Sequence, residues 1–131
     1  MIFLDSTVLT DYFNGKTNWH VEVLNSILGS ELVVIVDYVL TEVIQVFSSD
    51  KDFQKAKTIL LSFSCFDIGG KELAIKSANN FRLLKKKGVT VRKTIDVIIA
   101  TFCIAKKLTL LHNNKDFEPF EKYLNLKVYK N

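Results

Sequence analysis

The sequence has little of what marks secreted, fibrous or membrane proteins. Among its 131 residues are one proline, five glycines and two cysteines. Cys65 and Cys103 are too few for a disulfide framework and lack metal-ligand spacing, so we expect two buried thiols in a reducing compartment. The longest apolar run, residues 97–105, is far shorter than the about 20 residues that span a membrane, and residues 1–5 do not form a signal peptide. We therefore expect a cytoplasmic protein with no membrane partner.

What is present indicates one globular domain over residues 1–131. Apolar residues make up 48% of the chain and charged residues 24%, which is enough apolar surface to build a core without a disulfide or structural metal. The net charge of +4 favours an anionic partner without requiring one.

Short strand-like segments alternate with segments of helical period, and this order predicts an α/β fold. Strands are predicted at residues 2–4, 32–36, 65–68, 109–111 and 126–129. Helices are predicted at residues 8–13, 21–28, 38–47, 53–63, 73–84 and 94–107, with a short last helix around 116–124. We expect a three-layer α/β/α sandwich around a mainly parallel sheet of four to five strands, whose functional groups gather at the carboxyl ends of the strands.

Four acids occupy positions that such a fold brings together. Asp5 ends the first strand, and Asp116 follows the strand at 109–111. Glu42 and Asp96 lie early in two helices that begin near the same edge of the sheet. A cluster of carboxylates becomes favourable when a divalent cation neutralises it. An oxygen-only ligand set favours Mg²⁺ or Mn²⁺ over Zn²⁺.

Each acid also has a purely structural interpretation. Asp5 and Asp116 are suited to N-capping the helices that follow them, and Asp96 to complementing a helix dipole. Glu42 is flanked by apolar residues in "YVLTEVIQVF", which is unusual for a solvated helix face. Capping and catalysis are compatible roles, so both interpretations stay open at this stage.

Four stretches of the chain resemble a protein family. They are "IFLDSTVLTDYF", "LTEVIQ", "VRKTIDVIIATFCIAKKLTLLHNNKDFEPF" and the closing "LKVYKN". Together they resemble PIN-domain ribonucleases, and in particular the VapC-type toxins of toxin–antitoxin pairs. The resemblance spans nearly the whole chain and implies an α/β/α sandwich and a Mg²⁺- or Mn²⁺-dependent endoribonuclease. It also implies a homodimer and a cognate antitoxin as partners.

The resemblance assigns roles to particular residues. Asp5, Glu42 and Asp96 match three acids of the family's catalytic and metal-binding pocket. The fourth is less clear, because many relatives carry Asp-x-Asp-Phe where this chain has Asn114 and Asp116. We expect Asp116 to be the fourth acid.

Supporting roles fall to neighbouring polar and basic residues. Asn114 is expected to assist Asp116, and the hydroxyls of Ser6 or Thr7 to orient the first acid or a metal-bound water. Arg92 and Lys93, just before the helix of Asp96, are expected to bind RNA phosphates.

Two functions of different class follow. The first is an endoribonuclease toxin that cleaves RNA phosphodiesters with a metal-activated water. The second is a catalytically degenerate PIN-like domain that binds RNA or protein without cutting. Asn114, in place of the aspartate that many relatives carry, suggests this alternative. A third, a nuclease acting on DNA flaps, is disfavoured because the chain has no additional clamp segment.

Overall fold

A parallel four-stranded sheet forms the centre of the molecule, in the order β3-β2-β1-β4. The computed structural model describes residues 1–131. The strands are β1 (Ile2–Leu4), β2 (Val33–Val36), β3 (Ser64–Phe66) and β4 (Thr109–Leu111). In register, Phe3 of β1 lies opposite Val34 of β2 and Leu110 of β4. The predicted α/β fold with a parallel central sheet is confirmed.

Seven α-helices and one 3-10 turn connect and cover the strands. They are α1 (Ser6–Phe13), α2 (Trp19–Ile27), α3 (Asp37–Ile44), α4 (Asp50–Leu61), α5 (Lys71–Lys86), α6 (Thr94–Lys106), the 3-10 turn (Lys115–Phe117) and α7 (Glu118–Leu124). Helix α1 packs on α2 and α3, and α3 packs on α4, whereas α5 packs on α6 and α7. None of these helices has both the length and the apolar composition needed to cross a membrane.

Strands β1 and β2 run through the core. All residues of β1 and β2 are buried, and β2 consists of Val33, Val34, Ile35 and Val36, β-branched side chains that suit a strand covered on both faces. They belong to one cluster of 28 buried apolar residues that also includes Ile99 and Phe102 of α6. This core fixes where the strand ends, and thus the loops beyond them, can lie.

Two of the expectations are corrected here. The strand predicted at 126–129 is reduced to a single parallel bridge between Val128 and Leu110, although the backbone N–H of Tyr129 also donates to the carbonyl of Leu110 at 2.9 Å. Cys103 is buried as expected, but Cys65 is exposed, because β3 is an edge strand with a neighbour on one side only. The helix boundaries shift by up to three residues from those predicted, except that α6 begins at Thr94, α1 ends at Phe13 and α7 ends at Leu124 as expected.

The strand order reverses direction between β1 and β4. From β1 the chain moves outward through β2 to β3, then crosses back to place β4 on the other side of β1. In open parallel sheets the crevice at the carboxyl ends of such a pair of strands is the usual ligand site. Asp5 and the loop after Leu111 both lie at this crevice, and the backbone N–H of Asp5 donates to the carbonyl of Leu111 at 3.1 Å.

Candidate active site

Asp5 is both a helix cap and a buried acid. Its Oδ2 accepts hydrogen bonds from the Thr7 backbone N–H at 3.2 Å and from the Thr7 hydroxyl at 2.6 Å, so it N-caps α1. The residue is only 2% exposed. Burial raises the pKa of Asp5 to about 6, and the charges of Asp96 and Glu42 push it the same way while the Thr7 bonds oppose them. The two interpretations of Asp5 are therefore both part of the same geometry.

Glu42 and Asp96 lie within electrostatic reach of Asp5. Burial raises the pKa of each of them, and the charge of Asp96 raises the pKa of Glu42 further. Asp96 lies in the first turn of α6 and is 5% exposed. The charge of Lys93 lowers the pKa of both Glu42 and Asp96, so it lies within electrostatic reach of them. Three acids from α3, α6 and the end of β1 thus act on one another electrostatically.

Asn114 contacts the acid cluster directly. Its side-chain Nδ2 donates to Oδ2 of Asp96 at 3.3 Å, while its Oδ1 accepts from the backbone N–H of Asp116 at 3.0 Å. The second bond caps the 3-10 turn and fixes the amide so that its donor points at Asp96. This hydrogen bond lowers the pKa of Asp96 and partly offsets the effect of burial.

Asp116 stands one step further out. Its carboxylate accepts from Arg92 at 3.2 and 3.4 Å, and the Arg92 side chain is mostly exposed. Asp116 still raises the pKa of Asp96 through its charge, so it borders the cluster. The structure therefore brings Asn114 into contact with Asp96 and engages Asp116 with Arg92, a division that the sequence did not indicate.

The hydroxyls of Ser6 and Thr7 join separate parts of the site. The Ser6 side chain lies close enough to Glu42 to lower its pKa. The Thr7 hydroxyl donates to Asp5 and accepts from the backbone N–H of Asn113 at 3.0 Å. This bond joins residues far apart in sequence and ties the loop after β4 to the start of α1.

The donor set fits a hard divalent cation held partly through water. No three His, Cys, Asp or Glu side chains are grouped so that they would hold an ion by themselves. Mg²⁺ is usually held by one or two carboxylates and keeps several waters, so a closed protein cage is not needed. The raised pKa values of Asp5, Glu42 and Asp96 show carboxylates whose charge the protein does not fully compensate, and a cation would compensate it.

Two further residues organise the site: Asp11, which was missed in the sequence, and His112, whose place between β4 and the acid-bearing loop favoured a structural role. Asp11, 9% exposed, accepts from the side-chain amides of Asn18 at 3.1 Å and Asn113 at 3.2 Å. Its position among the apolar residues of α1 was a usable signal. His112 accepts the backbone N–H of Asn114 at its Nδ1, and burial lowers the pKa of His112 to about 4. Both residues hold the loop after β4 in place.

The comparisons with known proteins bear on the family and the fold. The PIN domain model matches residues 2–122. No curated protein matches the chain. Among solved structures, VapBC2 from Rickettsia felis bound to a DNA fragment from its promoter superposes with a TM-score of 0.76 at 22% identity, covering 98% of each chain.

Two other solved structures show the same fold. VapBC-1 from nontypeable Haemophilus influenzae has a TM-score of 0.72 at 14% identity, covering 99% of this chain and 98% of that one. VapC20 from Mycobacterium tuberculosis, described as a Sarcin-Ricin loop cleaving toxin, has a TM-score of 0.67 at 16% identity, covering 89% and 92%. At these identities the structures establish the fold, and the family model establishes kinship: the chain belongs to the PIN domain family.

Proposed function

We propose that this protein is a Mg²⁺-dependent endoribonuclease toxin of a toxin–antitoxin pair, with Mn²⁺ as an alternative ion. The observation that carries the proposal is that Asp5 at the end of β1, Glu42 on α3 and Asp96 on α6 lie close enough for their charges to act on one another, while burial is the main cause of each raised pKa. VapC20, which is described as a Sarcin-Ricin loop cleaving toxin, supports RNA as the substrate class.

In this proposal the residues of the chain divide the work. Asp5, Asp96 and Glu42 hold the ion, Asp116 completes the acidic rim, and Asn114 orients Asp96 through its 3.3 Å bond. When bound, Mg²⁺ offsets the charge of the phosphate and activates the attacking water. Cleavage of this type breaks the bond between phosphorus and the 3′ oxygen, leaving a 3′-hydroxyl and a 5′-phosphate. It does not use the ribose 2′-hydroxyl as a nucleophile.

Lys93 and Arg92 are proposed to bind the RNA backbone on the way to the acids. Lys93 lies close enough to lower the pKa of Glu42 and Asp96, so its charge also reaches a phosphate placed among them. Arg92 is exposed and pairs with Asp116, from which an incoming phosphate can draw it. Such contacts make binding sensitive to salt.

An antitoxin is the proposed protein partner, because several of the solved structures with this fold are toxin–antitoxin complexes. A cavity of about 480 Å³ between α1 and α4 suits an apolar segment of that partner. Its lining residues are Tyr12, Phe13, Phe47, Asp52, Lys55, Ala56 and Ile59. A homodimer and a cytoplasmic location complete the proposal.

Cleavage of a single-stranded RNA with and without metal tests the proposal. We expect cutting with Mg²⁺, none with EDTA, and restoration when Mg²⁺ is added in excess. Asp50→Asn is the matched control, because Asp50 is an exposed acid in the first turn of α4 and should leave cutting unchanged. Cleavage that persists in EDTA, or products that carry a 2′,3′-cyclic phosphate, would overturn the metal-dependent mechanism.

Because Asn114 stands where many relatives carry an aspartate, a second candidate function is a PIN-like module that binds RNA or protein without cutting. It predicts RNA binding that is equally tight in Mg²⁺ and in EDTA, with intact RNA in both. The same cleavage experiment, with the bound RNA recovered and sized, separates the two candidates.

A further inference from the structure

A second cavity lies beside the acid cluster and shares one wall with it. Its volume is about 310 Å³, and twelve residues line it: Trp19, His20, His112, Asn113, Asn114, Lys115, Glu118, Glu121, Val128, Tyr129, Lys130 and Asn131. Asn114, which lines this cavity, also donates to Asp96. Whatever occupies the cavity therefore lies next to the proposed cleavage site.

The cavity has the chemistry of a base-binding pocket. Trp19 and His20 stack on one another, with ring centroids 3.7 Å apart and planes 29° from parallel, and Tyr129 lies on another wall. Sequence-selective recognition of single-stranded RNA places unstacked bases against aromatic rings and reads their edges with polar groups. The Nδ2 of Asn113 donates to Asp11, which leaves its Oδ1 as an acceptor for such an edge. The volume is at the lower end of the range for ligand pockets, about 300–1,000 Å³, which suits one base.

The walls of the cavity are fixed by bonds to the rest of the protein. Asn113 is held from α1 through its backbone N–H to Thr7 and its amide to Asp11. The backbone of Asn114 is held by His112 at 3.1 Å. Lys130 and Glu121 form an ion pair, so their charges are largely matched. A pocket preorganised in this way costs little to order when a ligand binds.

Among the residues that line the cavity, His20 has a buried ring nitrogen without a hydrogen-bond partner. Its Nδ1 is buried without any hydrogen bond in the protein. Burial also lowers the pKa of His20, although Asp11 opposes the shift, so the neutral ring offers one N–H donor and one acceptor. Buried polar atoms in native structures nearly always have a partner.

We propose that this cavity, named here the Trp19 pocket, binds an unpaired RNA base of a nucleotide adjacent to the cleaved phosphodiester and so selects the sequence that is cut. The proposal rests on the proposed ribonuclease function for its substrate. Trp19 and Tyr129 supply the stacking surfaces, and His20 with Asn113 reads the base edge. Lys115 at the rim is placed to meet a phosphate.

The single tryptophan of the chain gives a direct assay. Trp19 fluorescence is titrated with hexanucleotides of A, C, G or U in EDTA, so that no cleavage is required. We expect saturable quenching that differs between the four bases. Tyr129→Ala should weaken binding of the preferred hexamer by about tenfold, as loss of a base-stacking ring does. His20→Ala should weaken it by about fivefold, as loss of one hydrogen bond does. Tyr38→Ala, an exposed aromatic outside the pocket, should leave it unchanged.

Two variants keep the test decisive if one of them folds poorly, since far-ultraviolet circular dichroism identifies the misfolded one. Unchanged affinity in either folded variant, or no quenching by any hexamer, overturns the pocket. In Mg²⁺, Trp19→Phe and His20→Ala should lower the ratio of kcat/KM for the preferred over the other bases. Quenching without any cleavage would refute the ribonuclease function and keep the pocket, whereas cleavage without quenching would do the reverse.

Discussion

Two aspartates six residues apart in the chain, Asp5 and Asp11, are both buried but have different partners. Asp11 accepts hydrogen bonds from Asn18 and Asn113 and forms an ion pair with Lys16 at 3.6 Å. Asp5 accepts hydrogen bonds from Thr7, and two carboxylates of like charge, Asp96 and Glu42, lie near it. The protein supplies donors and a cation for the first acid and adds repulsion to the second.

Under the proposed function, this difference separates a structural carboxylate from one that would hold a cation. A buried charge is tolerated when it is paired and hydrogen-bonded, and it is costly otherwise. Asp11 meets that condition within the fold, so its role is complete when the chain is folded. Asp5 accepts two hydrogen bonds from Thr7 but has two acids of like charge near it, so it meets the condition less completely, and a positive ion or a proton would complete it.

The largest expected effect is on cleavage. Asp96→Asn should reduce RNA cleavage in Mg²⁺ by at least about a thousandfold, because it removes a charged ligand worth several kcal/mol in the transition state. Asp11→Asn should leave most of the activity per folded molecule. Single-turnover cleavage of one labelled RNA by both proteins measures the contrast. If Asp96→Asn cuts at the normal rate, Asp96 does not belong to the site.

The next effect is the pH dependence of stability without metal. The pKa of Asp5 is raised to about 6 from 3.8, so the folded protein holds a proton between these pH values that the unfolded chain has lost. Its contribution is fully present below pH 3.8, and stability falls as pH rises through about 6. The total from Asp5 is on the order of 3 kcal/mol. The raised pKa values of Glu42 and Asp96 act with the same sign.

Thermal unfolding in EDTA between pH 4 and pH 8 measures this slope. Asp5→Asn should flatten it, whereas the control Asp50→Asn should keep it. Added Mg²⁺ should raise the melting temperature more at pH 8 than at pH 5, since the acids are ionised at the higher value. Equal slopes for Asp5→Asn and the unmodified protein would contradict the assignment.

The acids' convergence was predictable, and their surroundings were not. Short apolar strands alternating with helices imply parallel strands, and the carboxyl ends of parallel strands share one edge, so Asp5, Glu42 and Asp96 were expected together. The partner of Asp116 is Arg92, 24 residues away, and that pair depends on side-chain directions in a loop. No local pattern encodes such directions, because they follow from the packed loop as a whole.

The sequence also did not distinguish the edge strand of the sheet from a central strand. The segments around Ile35 and Cys65 both look like apolar strands, yet the first is buried and the second is exposed at the sheet edge. An apolar run shows that a strand forms and not how many neighbours it has. The Trp19 pocket was missed for a related reason, since its walls come from the start of α2, the loop after β4 and the C-terminal segment.

Removing the Asp11 carboxylate, which accepts hydrogen bonds from two asparagine side chains, should lower the stability of the folded protein and have little other effect. Asp11→Ala leaves the Asn18 and Asn113 amides without their acceptor, which we expect to destabilise the protein by about 1–3 kcal/mol. The loss should be the same in EDTA and in Mg²⁺, because Asp11 is not proposed to hold the ion. Denaturant unfolding under both conditions measures it, and a loss seen only with Mg²⁺ would place Asp11 in the metal site instead.

Asn114→Asp should replace a hydrogen-bond donor beside Asp96 with a like charge, so that the surroundings of Asp96 change from those typical of Asp11 to those typical of Asp5. It replaces the amide that donates to Asp96 with another carboxylate, so repulsion in the metal-free protein rises and stability falls by about 1 kcal/mol. With Mg²⁺ the added charge should tighten binding of the ion. Melting temperatures across a Mg²⁺ titration test both halves. A variant as stable as the parent in EDTA and no better stabilised by Mg²⁺ would show that position 114 does not sense the cluster.

The smallest expected stability effect is at the Arg92–Asp116 pair. Arg92 is mostly exposed, and exposed ion pairs contribute about 0–1 kcal/mol, so Arg92→Ala should change the melting temperature little. Its effect should instead show in RNA binding, measured in EDTA, with a salt slope that is shallower by about one. Lys85→Ala is the matched control, because Lys85 lies in the last turn of α5, outside the acid site. An unchanged slope for Arg92→Ala would confine Arg92 to its pair with Asp116, making that carboxylate a structural one like Asp11.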